Sequence, residues 1–385
     1  YMATHDMQIL LMCTAEIIFF IITMLIYNKM YQNASKSIVN NMCMLLAISF
    51  IILTRLDIDK AMKQFAIAVC ALIITCLIPL FIHKLKFLNK LTWIYAIIGI
   101  LGLGVVAVAG SRVYGAKLNI SLGPVTIQPS EFVKILFVFF VASMLYKSID
   151  FHQVVVTTII AALHVLILVA SKDLGGAGIF LFTYLIMLYV ATKKPSYMLL
   201  GIGASVLAAF LAYFIFPHVQ TRVIAWRDPL SVANDAGYQI CQSLFAIGTG
   251  GWFGSGLYLG MPQKIPVATS DFVFSAISEE MGAIFALCLI FVCISCFLMF
   301  LNIAMQVKDQ FYKLIALGLG CVYGLQVFIT LGGVIKFIPS TGVTLPLVSY
   351  GGSSLLSTMI LFAIIQGLYV IQKDNGDEDV KKKHR

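Results

Sequence analysis

Residues 262–280, PQKIPVATSDFVFSAISEE, contain the strongest candidate for chemistry in this chain. Asp271 ends a polar, proline-bearing loop and begins an apolar run, and Thr269 and Ser270 before it are candidate N-caps of the following helix. A charged group placed where water meets hydrocarbon costs roughly 3 kcal/mol or more, so it is usually paired, water-lined or functional. A carboxylate there can serve as a general base or can support a helix N-terminus electrostatically. The position alone leaves both roles open.

Two further segments place ionisable residues at the start of apolar runs. In IQPSEFVK, Glu131 and Lys134 follow a Pro-Ser helix start at i,i+3 spacing and therefore share a helix face. In SKDLGGAG, Asp173 precedes two glycines that permit a tight turn or a close backbone approach. Both have structural alternatives, namely a neutralised ion pair inside a helical bundle and an interfacial turn beside Lys172.

The composition indicates which elements position these residues. Of 385 residues, 61% are hydrophobic and only 11% are charged, whereas about a quarter of a soluble domain is charged. The chain is therefore a polytopic helical membrane protein, because a spanning helix needs roughly 20 apolar residues. Apolar runs predict eleven such helices, at about 7–27, 39–55, 65–83, 91–110, 131–146, 153–171, 174–191, 197–216, 277–301, 312–333 and 350–371.

The lysines predict the orientation of the bundle. Cytoplasmic loops are enriched in Lys and Arg, which places Lys84, Lys86 and Lys90 inside. The alternation of helices then puts Asp271 outside, in the longest of the external loops 56–64, 111–130, 217–276 and 334–349. A loop of that length is normally functional. The chain opens at Tyr1 without a signal-peptide pattern, so we expect it to be truncated or processed upstream.

Composition also excludes several classes of protein. Eight of the nine cysteines fall inside predicted spans and only Cys241 lies in a loop, so no disulfide framework is expected. Cys293 and Cys296 form a CxxC in mid-membrane, where a role in core packing is favoured over metal binding or redox chemistry. The six histidines show no ligand spacing. A net charge of +9 comes without a basic stripe interleaved with aromatics, so nucleic acid is not an expected partner.

Five motifs together resemble the SEDS family, which comprises the RodA, FtsW and SpoVE proteins of bacterial cell elongation, division and sporulation. They occur in the family's order and spacing over roughly residues 40–372. The motifs are IQPSEFVK (127–134), KDLGGAG (172–178), GYQICQSLFAIGTGGWFGSGL (237–257), PVATSDFVFSAISEEMG (266–282) and PSTGVTLPLVSYGGSS (339–354).

The resemblance implies an all-α membrane fold with ten core helices. Residues 39–372 would form the catalytic core, residues 1–38 an extra N-terminal helix and loop, and residues 373–385 a charged cytoplasmic tail, which its mixed charge predicts to be disordered. It implies a glycosyltransferase of the bacterial cytoplasmic membrane that polymerises lipid II into peptidoglycan strands on the outer face, working with a class B penicillin-binding protein. The family's essential loop carboxylate falls on Asp271, and cavity-lining groups fall on Glu131, Lys134 and Asp173.

The chain departs from the family pattern at several positions. Many members have Pro-Glu-Ala-His-Thr-Asp where residues 266–271 read PVATSD, so the nearby Glu and His are absent. Leu118-Asn119 stands where the family usually has Arg-Trp. Thr330 stands where it frequently has Asn, and Lys336 where it commonly has Gly. These changes indicate a divergent branch.

The implied chemistry joins two lipid-linked sugars by a single inverting displacement, with Asp271 as general base. The departing pyrophosphate requires cations, and the candidates are Mg²⁺ or Mn²⁺ and the external basic residues. Glu131 or Asp271 would hold such an ion, which would bridge to the phosphate. Candidate substrate-binding residues, in addition to Glu131, Lys134 and Asp173, are Lys117, Arg222, Lys336, Gln239, Gln242 and Ser349.

Three acidic and glycine-rich features have structural interpretations. Glu279 and Glu280 lie two helical turns beyond Asp271 and are expected to pair or cap inside the bundle. GTGGWFGSG (248–256) lacks GK[ST] and a preceding strand, so packing of a re-entrant segment is favoured over phosphate binding.

Two alternative functions remain open. A lipid II flippase or solute carrier could use the intramembrane Glu131, Lys134, Asp173 and Asp271 as a translocation path, but no internal symmetry is visible and these residues cluster at the outer ends of spans. A scaffold that only recruits a synthase is the other alternative.

Overall fold

The computed structural model describes residues 7–84, 87–113, 116–122 and 125–383. Within them the chain forms fourteen α-helices and three short strands. The helices are α1 Met7–Met30, α2 Lys36–Leu56, α3 Ile58–Thr75, α4 Ile78–Lys84, α5 Thr92–Ala109, α6 Pro129–Lys147, α7 Phe151–Ala170, α8 Leu174–Thr192, α9 Pro195–Ile215, α10 Pro217–Arg227, α11 Tyr238–Gly250, α12 Val273–Gln306, α13 Gln310–Val334 and α14 Gly352–Lys383, and the strands are β1 Ser111–Val113, β2 Ala116–Leu122 and β3 Val125–Ile127.

Eleven stretches of the described chain are helical, long and apolar enough to cross a membrane, and they coincide with the eleven predicted runs. α3 and the start of α4 form one of them, Ile58–Ile82. The most buried of these spans are α6, α13 and α14, each with nearly three quarters of its most apolar window buried. α9 lies at the edge of the bundle and has no buried residue. The prediction of a helical membrane bundle is confirmed.

Three local predictions from the sequence were wrong. The segment expected to be a 60-residue loop contains α10 and α11, and Cys241 lies in α11. The 111–130 loop forms a three-stranded antiparallel sheet, with Ile120 paired to Ile127 across β2 and β3. The tail expected to be disordered continues α14 to Lys383.

The start of α12 also differs from the prediction. Neither Thr269 nor Ser270 caps this helix, because it begins at Val273 with Phe272 at the N-cap position. Asp271 therefore lies in the irregular turn before the helix, and the backbone N–H of Ser270 donates to Val267 O at 3.0 Å. The carboxylate is thus free of helix capping and is positioned by the loops that surround it.

Gly282 interrupts α12 with a backbone conformation that other residues rarely adopt, at φ 83° and ψ 170°. The break lets a second segment bond to the exposed backbone, since Ala283 N donates to Gly251 O at 2.9 Å and Ile284 N donates to Trp252 O at 3.2 Å. A Cβ at Gly282 would lie 2.3 Å from Gly254 N. Glycine is therefore required here both for its positive φ and for space.

We expect Gly282→Ala to lower the unfolding free energy by about 2 kcal/mol, because the added Cβ strains the backbone and displaces residues 251–254. The thermal midpoint of the purified protein, followed by tryptophan fluorescence, measures this. Gly203→Ala is the matched control, since Gly203 lies in α9 with nothing within 4 Å of an added Cβ. Equal midpoints for the two variants would contradict the prediction.

Candidate active site

A polar cavity of about 1280 Å³ lies at one end of the bundle. Its wall combines the second and third turns of α3, the turn before α8, and the first turns of α11 and α14 with β2, β3, α10 and the two loops 266–271 and 340–344. Among the residues that the structure describes, the charged ones in this wall are Lys63, Lys172, Asp173, Arg222, Asp235 and Asp271. Lys84 at the end of α4 and Lys90 just before α5, which fix the predicted orientation, lie at the opposite end of the spans, and Lys86 falls outside the described residues.

Asp271 lies in the cavity wall, partly exposed to the cavity. Gly342, at φ 75°, brings its backbone close to the carboxylate, and a Cβ there would lie 3.4 Å from Asp271 Oδ2. Burial raises the pKa of Asp271 above the usual aspartate value, while the Ser270 hydroxyl and the charge of Arg222 oppose that shift. A carboxylate with a raised pKa, open to a large polar cavity, has the properties of a general base.

Arg222 of α10 links the two aspartates of the cavity. Its Nη1 donates to Thr341 O at 3.2 Å, which fixes the guanidinium against the loop that carries Gly342. Burial lowers the pKa of Arg222, and the charges of Asp173 and Asp271 oppose that change. The guanidinium therefore acts electrostatically on both carboxylates from one position.

Asp173 both caps a helix and lines the cavity. It caps the N-terminus of α8, where its Oδ1 accepts from Gly176 N at 2.8 Å, and it lines the cavity. A Cβ at Gly176 would lie 2.6 Å from the carboxylate, so the glycine permits this close approach. Burial raises the pKa of Asp173, while the bond from Gly176 lowers it. Because one oxygen is committed to the helix, Asp173 is better suited to positioning than to proton transfer.

Glu131 and Lys134, candidates for substrate binding, form the ion pair that was their structural alternative, in a separate recess of about 40 Å³ that shares Gln128 and Asp173 with the main cavity. Lys134 Nζ also donates to Gln326 Oε1 at 2.8 Å, and the Ser357 hydroxyl donates to Glu131 Oε2 at 2.8 Å. Glu131 and Lys134 are only 8% and 4% exposed. The pair therefore joins α6, α13 and α14 beneath the cavity floor, and its bonds within the protein satisfy its charges.

The other predicted residues divide between the cavity and its surroundings. Gln239 lines the cavity, whereas Gln242 and Lys336 lie outside its described wall. Lys336 contributes its backbone carbonyl, which accepts from Trp226 Nε1 at 3.1 Å. Ser349 is buried behind the wall, and its hydroxyl donates to Ser270 O. Lys117 belongs to β2, but its side chain lies outside the described residues.

Four functional candidates were missed in the sequence. Lys63 and Lys172 add two cations to the cavity, and Asp235 adds a third carboxylate. Lys172 stands beside Asp173 and Lys63 falls within the predicted external loop 56–64, so the sequence contained a signal for both. The fourth candidate, Gln64, follows Lys63 in α3, and its role depends on contacts that only the fold reveals.

Gln64 holds the turn that positions Asp271. It is fully buried, its Nε2 donates to Ser349 O at 3.1 Å, and its Oε1 accepts from Gly351 N at 3.2 Å. That turn supports the Asp271 loop, because Tyr350 N donates to Thr269 O at 2.8 Å and the Ser349 hydroxyl bonds the next carbonyl along the chain. A continuous set of hydrogen bonds thus connects α3 to the two residues that precede Asp271.

We expect Gln64→Leu to lower kcat on the order of tenfold with a smaller change in KM, because a misplaced catalytic group loses rate before it loses binding. Gln366→Leu is the matched control. Gln366 is equally buried, at 1% exposure, and donates to Ser35 O at 3.2 Å at the opposite end of the bundle. A similar drop in kcat for both variants would show that Gln64 acts only through stability.

The fold and the site define a multi-pass membrane protein with an acid-bearing polar cavity at one end of its helical bundle. Two solved structures share this architecture. One is a chain of a peptidoglycan synthase complex described for the coordination of polymerization and crosslinking (TM-score 0.74, 24% identity, 89% of this chain and 98% of that chain). The other is RodA, the rod shape determining protein of Thermus thermophilus (TM-score 0.65, 23% identity, 89% and 97%).

The chain belongs to the FtsW/RodA/SpoVE family, described as cell cycle proteins, whose model matches residues 37–374. It is 36% identical over 318 residues to the peptidoglycan glycosyltransferase RodA of Mycobacterium tuberculosis, covering 78% of this chain and 67% of that one. It is 33% identical over 267 residues to a probable peptidoglycan glycosyltransferase FtsW of Francisella salina, covering 66% of each. α1 lies before the matched region.

Proposed function

We propose that this protein is a peptidoglycan glycosyltransferase that polymerises lipid II, with Asp271 as its general base. The observation that carries the proposal is the placement of Asp271 in a polar cavity of about 1280 Å³ shared with three cationic side chains. The volume exceeds the roughly 300–1,000 Å³ of ordinary ligand pockets and suits two large substrates. The 36% identity to a peptidoglycan glycosyltransferase supports the same reaction.

In this mechanism Asp271 accepts the proton of the acceptor sugar hydroxyl as its oxygen attacks the anomeric carbon of the donor. The bond from that carbon to the pyrophosphate oxygen breaks, and the polyprenyl pyrophosphate leaves with the electron pair. The raised pKa of Asp271 improves its match to the hydroxyl proton near neutral pH. A single displacement inverts the donor carbon, so no second catalytic carboxylate is required.

The departing pyrophosphate requires positive charge. Arg222, Lys63 and Lys172 line the cavity and are the described cations placed to supply it. Lys134, a candidate from the sequence, is engaged by Glu131 and Gln326 and takes the structural role instead. In this proposal the cations that act on the pyrophosphate lie on the cavity wall, and the Glu131–Lys134 pair lies beneath that wall.

A divalent ion fits the cavity only with ligands from the substrate. Among the described residues no group of three or more His, Cys, Asp or Glu side chains could hold a metal. Asp271 and Asp173 are the carboxylates facing both the cavity and Arg222, and Glu131 is engaged by Lys134 and Ser357. Mg²⁺ or Mn²⁺ would therefore bind mainly phosphate oxygens and water, as Mg²⁺ commonly does, and would neutralise charge on the leaving group.

The cavity is proposed to face the exterior of the bacterial cytoplasmic membrane. The lysines at the ends of α4, α6 and α8 lie at the end of the bundle opposite the cavity, as expected for cytoplasmic loops. A class B penicillin-binding protein is the proposed partner, since a structural relative belongs to a complex described for both polymerization and crosslinking. Such a partner would cross-link the strands that this protein releases.

Polymerisation of fluorescent lipid II by the purified protein, alone and with a class B penicillin-binding protein, tests the function. Glycan strands that lengthen with time support it. Movement of lipid II between vesicle leaflets without strand growth would instead show a flippase, and the absence of both activities in the presence of the partner would indicate a scaffold.

Arg222→Gln is expected to move the acid limb of the pH–activity profile to higher pH. Asp271 works as a carboxylate, so activity is lost as pH falls through its pKa. The charge of Arg222 opposes the rise in that pKa caused by burial, and its removal therefore raises the pKa further. Arg227→Gln, at the exposed end of the same helix, is the control. Identical acid limbs for the two variants would show that Arg222 does not tune Asp271.

A further inference from the structure

Residues 237–263 form the longest stretch outside the eleven spans that contains no charged residue and no histidine. The stretch includes α11 and the glycine-rich loop after it, and it carries six large apolar side chains that are about half or more exposed: Phe245, Trp252, Phe253, Leu257, Leu259 and Met261. Soluble loops rarely expose so many apolar groups together. An apolar environment outside the protein would account for this composition.

The stretch folds back on itself against α12. α11 runs alongside α12 in the same direction, since the Ser243 and Ser275 hydroxyls lie 2.7 Å apart and Gly250 packs directly on the Ser278 carbonyl. The chain turns at Trp252, beside the break in α12, and then returns toward the cavity end. On the return, Met261 N donates to Glu279 Oε1 at 3.0 Å. The segment is therefore a re-entrant hairpin with its tip at Trp252 and Phe253.

The hairpin satisfies its backbone within the protein, as a segment outside water must. At the tip, Gly251 and Trp252 carbonyls accept from the two α12 N–H groups freed by the break at Gly282. On the return, Ser255 N and Gly256 N donate to the carbonyls of the α12 glutamates at 2.9 and 3.0 Å. Gly254 N donates to Gly250 O at 2.8 Å. The positive φ angles of Gly251, Gly254 and Gly256 make this compact path available.

Helix lengths place the tip at the edge of the hydrocarbon core. From Ile284, which bonds to Trp252, to the far end of α12 at Gln306 the helix is about 33 Å long, and the hydrocarbon core is about 30 Å thick. Independently, the Ser243 hydroxyl donates to Val334 O at the end of α13. The seven residues of α11 that follow carry the chain about 10 Å deeper. Both measures put the tip close to the hydrocarbon boundary of the leaflet on the cavity side.

We propose that residues 237–263 are inserted in the lipid leaflet on the cavity side, with Trp252 and Phe253 in direct contact with lipid. These two side chains are 67% and 85% exposed, and aromatic residues favour this depth of the bilayer. The hairpin is bonded to α12 on both its descending and returning arms, so lipid contact at the tip holds the outer end of α12 at a fixed depth. Asp271, which precedes α12, is thereby held at a fixed height above the hydrocarbon.

The three tryptophans of the chain allow a direct test. The variant Trp93→Phe/Trp226→Phe leaves Trp252 as the only indole, and the protein is reconstituted in bilayers with bromine at defined acyl carbons. We expect bromine to quench Trp252 roughly twofold more than it quenches Trp226 in the matched variant Trp93→Phe/Trp252→Phe, because Trp252 lies deeper in the leaflet. Aqueous iodide should have little effect on Trp252.

Quenching of Trp252 by iodide and not by brominated lipid would overturn the proposal, because the tip would then lie in water. Protection from both quenchers would also overturn it, since protein would then cover the tip. Cross-linking of a cysteine placed at Phe253 distinguishes a second copy from another protein in that case. The native thermal midpoint of each single-tryptophan variant, measured beforehand, confirms that the chain is folded.

Discussion

Asp271→Asn should reduce lipid II polymerisation by roughly 10²–10⁴-fold, the usual contribution of a general base. The substitution keeps the shape of the side chain and removes its ability to accept a proton at physiological pH. Because Asp271 is partly open to the cavity and does not cap α12, its loss should leave the helix intact. The decrease is therefore expected in kcat, with similar lipid II binding and a similar thermal midpoint.

Asp59→Asn provides the control for this experiment. Asp59 is an exposed carboxylate in the first turn of α3, at the same end of the bundle but outside the described cavity wall. Its substitution should leave polymerisation close to the unsubstituted level. Full activity of Asp271→Asn would remove this residue from the chemistry, and parallel losses in both variants would indicate a general effect of surface charge at this end of the protein.

The sequence predicted the helical bundle because long apolar runs determine spanning helices almost by themselves. It also placed Glu131 and Lys134 on one helix face, since i,i+3 spacing brings two side chains together whatever surrounds them, and it left their pairing open as the structural alternative. The sequence also predicted that Glu279 and Glu280 pair or cap inside the bundle, and the structure pairs Glu280 with Arg55 of α2 at 2.9 Å. The first two features follow from local pattern and helix geometry, whereas the partner of Glu280 comes from another helix.

The wall of the cavity could not be predicted in the same way. Its cations come from α3, the turn before α8, and α10, and no spacing in the chain relates them. Lys336 shows the opposite error, because its side chain lies outside the described wall and only its carbonyl meets α10. The role of Gln64 depends on a contact with a turn 285 residues away. Such long-range contacts follow from how helices pack.

Asp271 and Glu131 have different roles in the protein. Asp271 lies in a loop that several hydrogen bonds hold from behind, so its carboxylate remains available to the cavity. Glu131, by contrast, has its charge matched by Lys134 and by the Ser357 hydroxyl. A mutation in the loop should therefore affect chemistry first, whereas a mutation in the buried pair should affect folding first.

Lys134→Met should lower the unfolding free energy by about 3–5 kcal/mol, the cost of leaving a buried charge without its partner. Methionine fills a similar volume but supplies no charge to Glu131 and no donor to Gln326, which now bonds Lys134 Nζ at 2.8 Å. Both members of the pair are almost fully buried where α6, α13 and α14 meet, so water cannot replace the lost contact. The thermal midpoint and the fraction of monodisperse protein after extraction measure the effect.

The double variant Glu131→Gln/Lys134→Met separates loss of the pair from loss of packing. It removes both charges, and neutral replacements of a buried ion pair are often tolerated, so much of the lost stability should return. The amide oxygen that replaces the carboxylate of Glu131 can still accept from the Ser357 hydroxyl. If the double variant were no more stable than Lys134→Met alone, the lysine would stabilise the bundle through its packing. The unpaired charge of Glu131 would then account for little of the lost unfolding free energy.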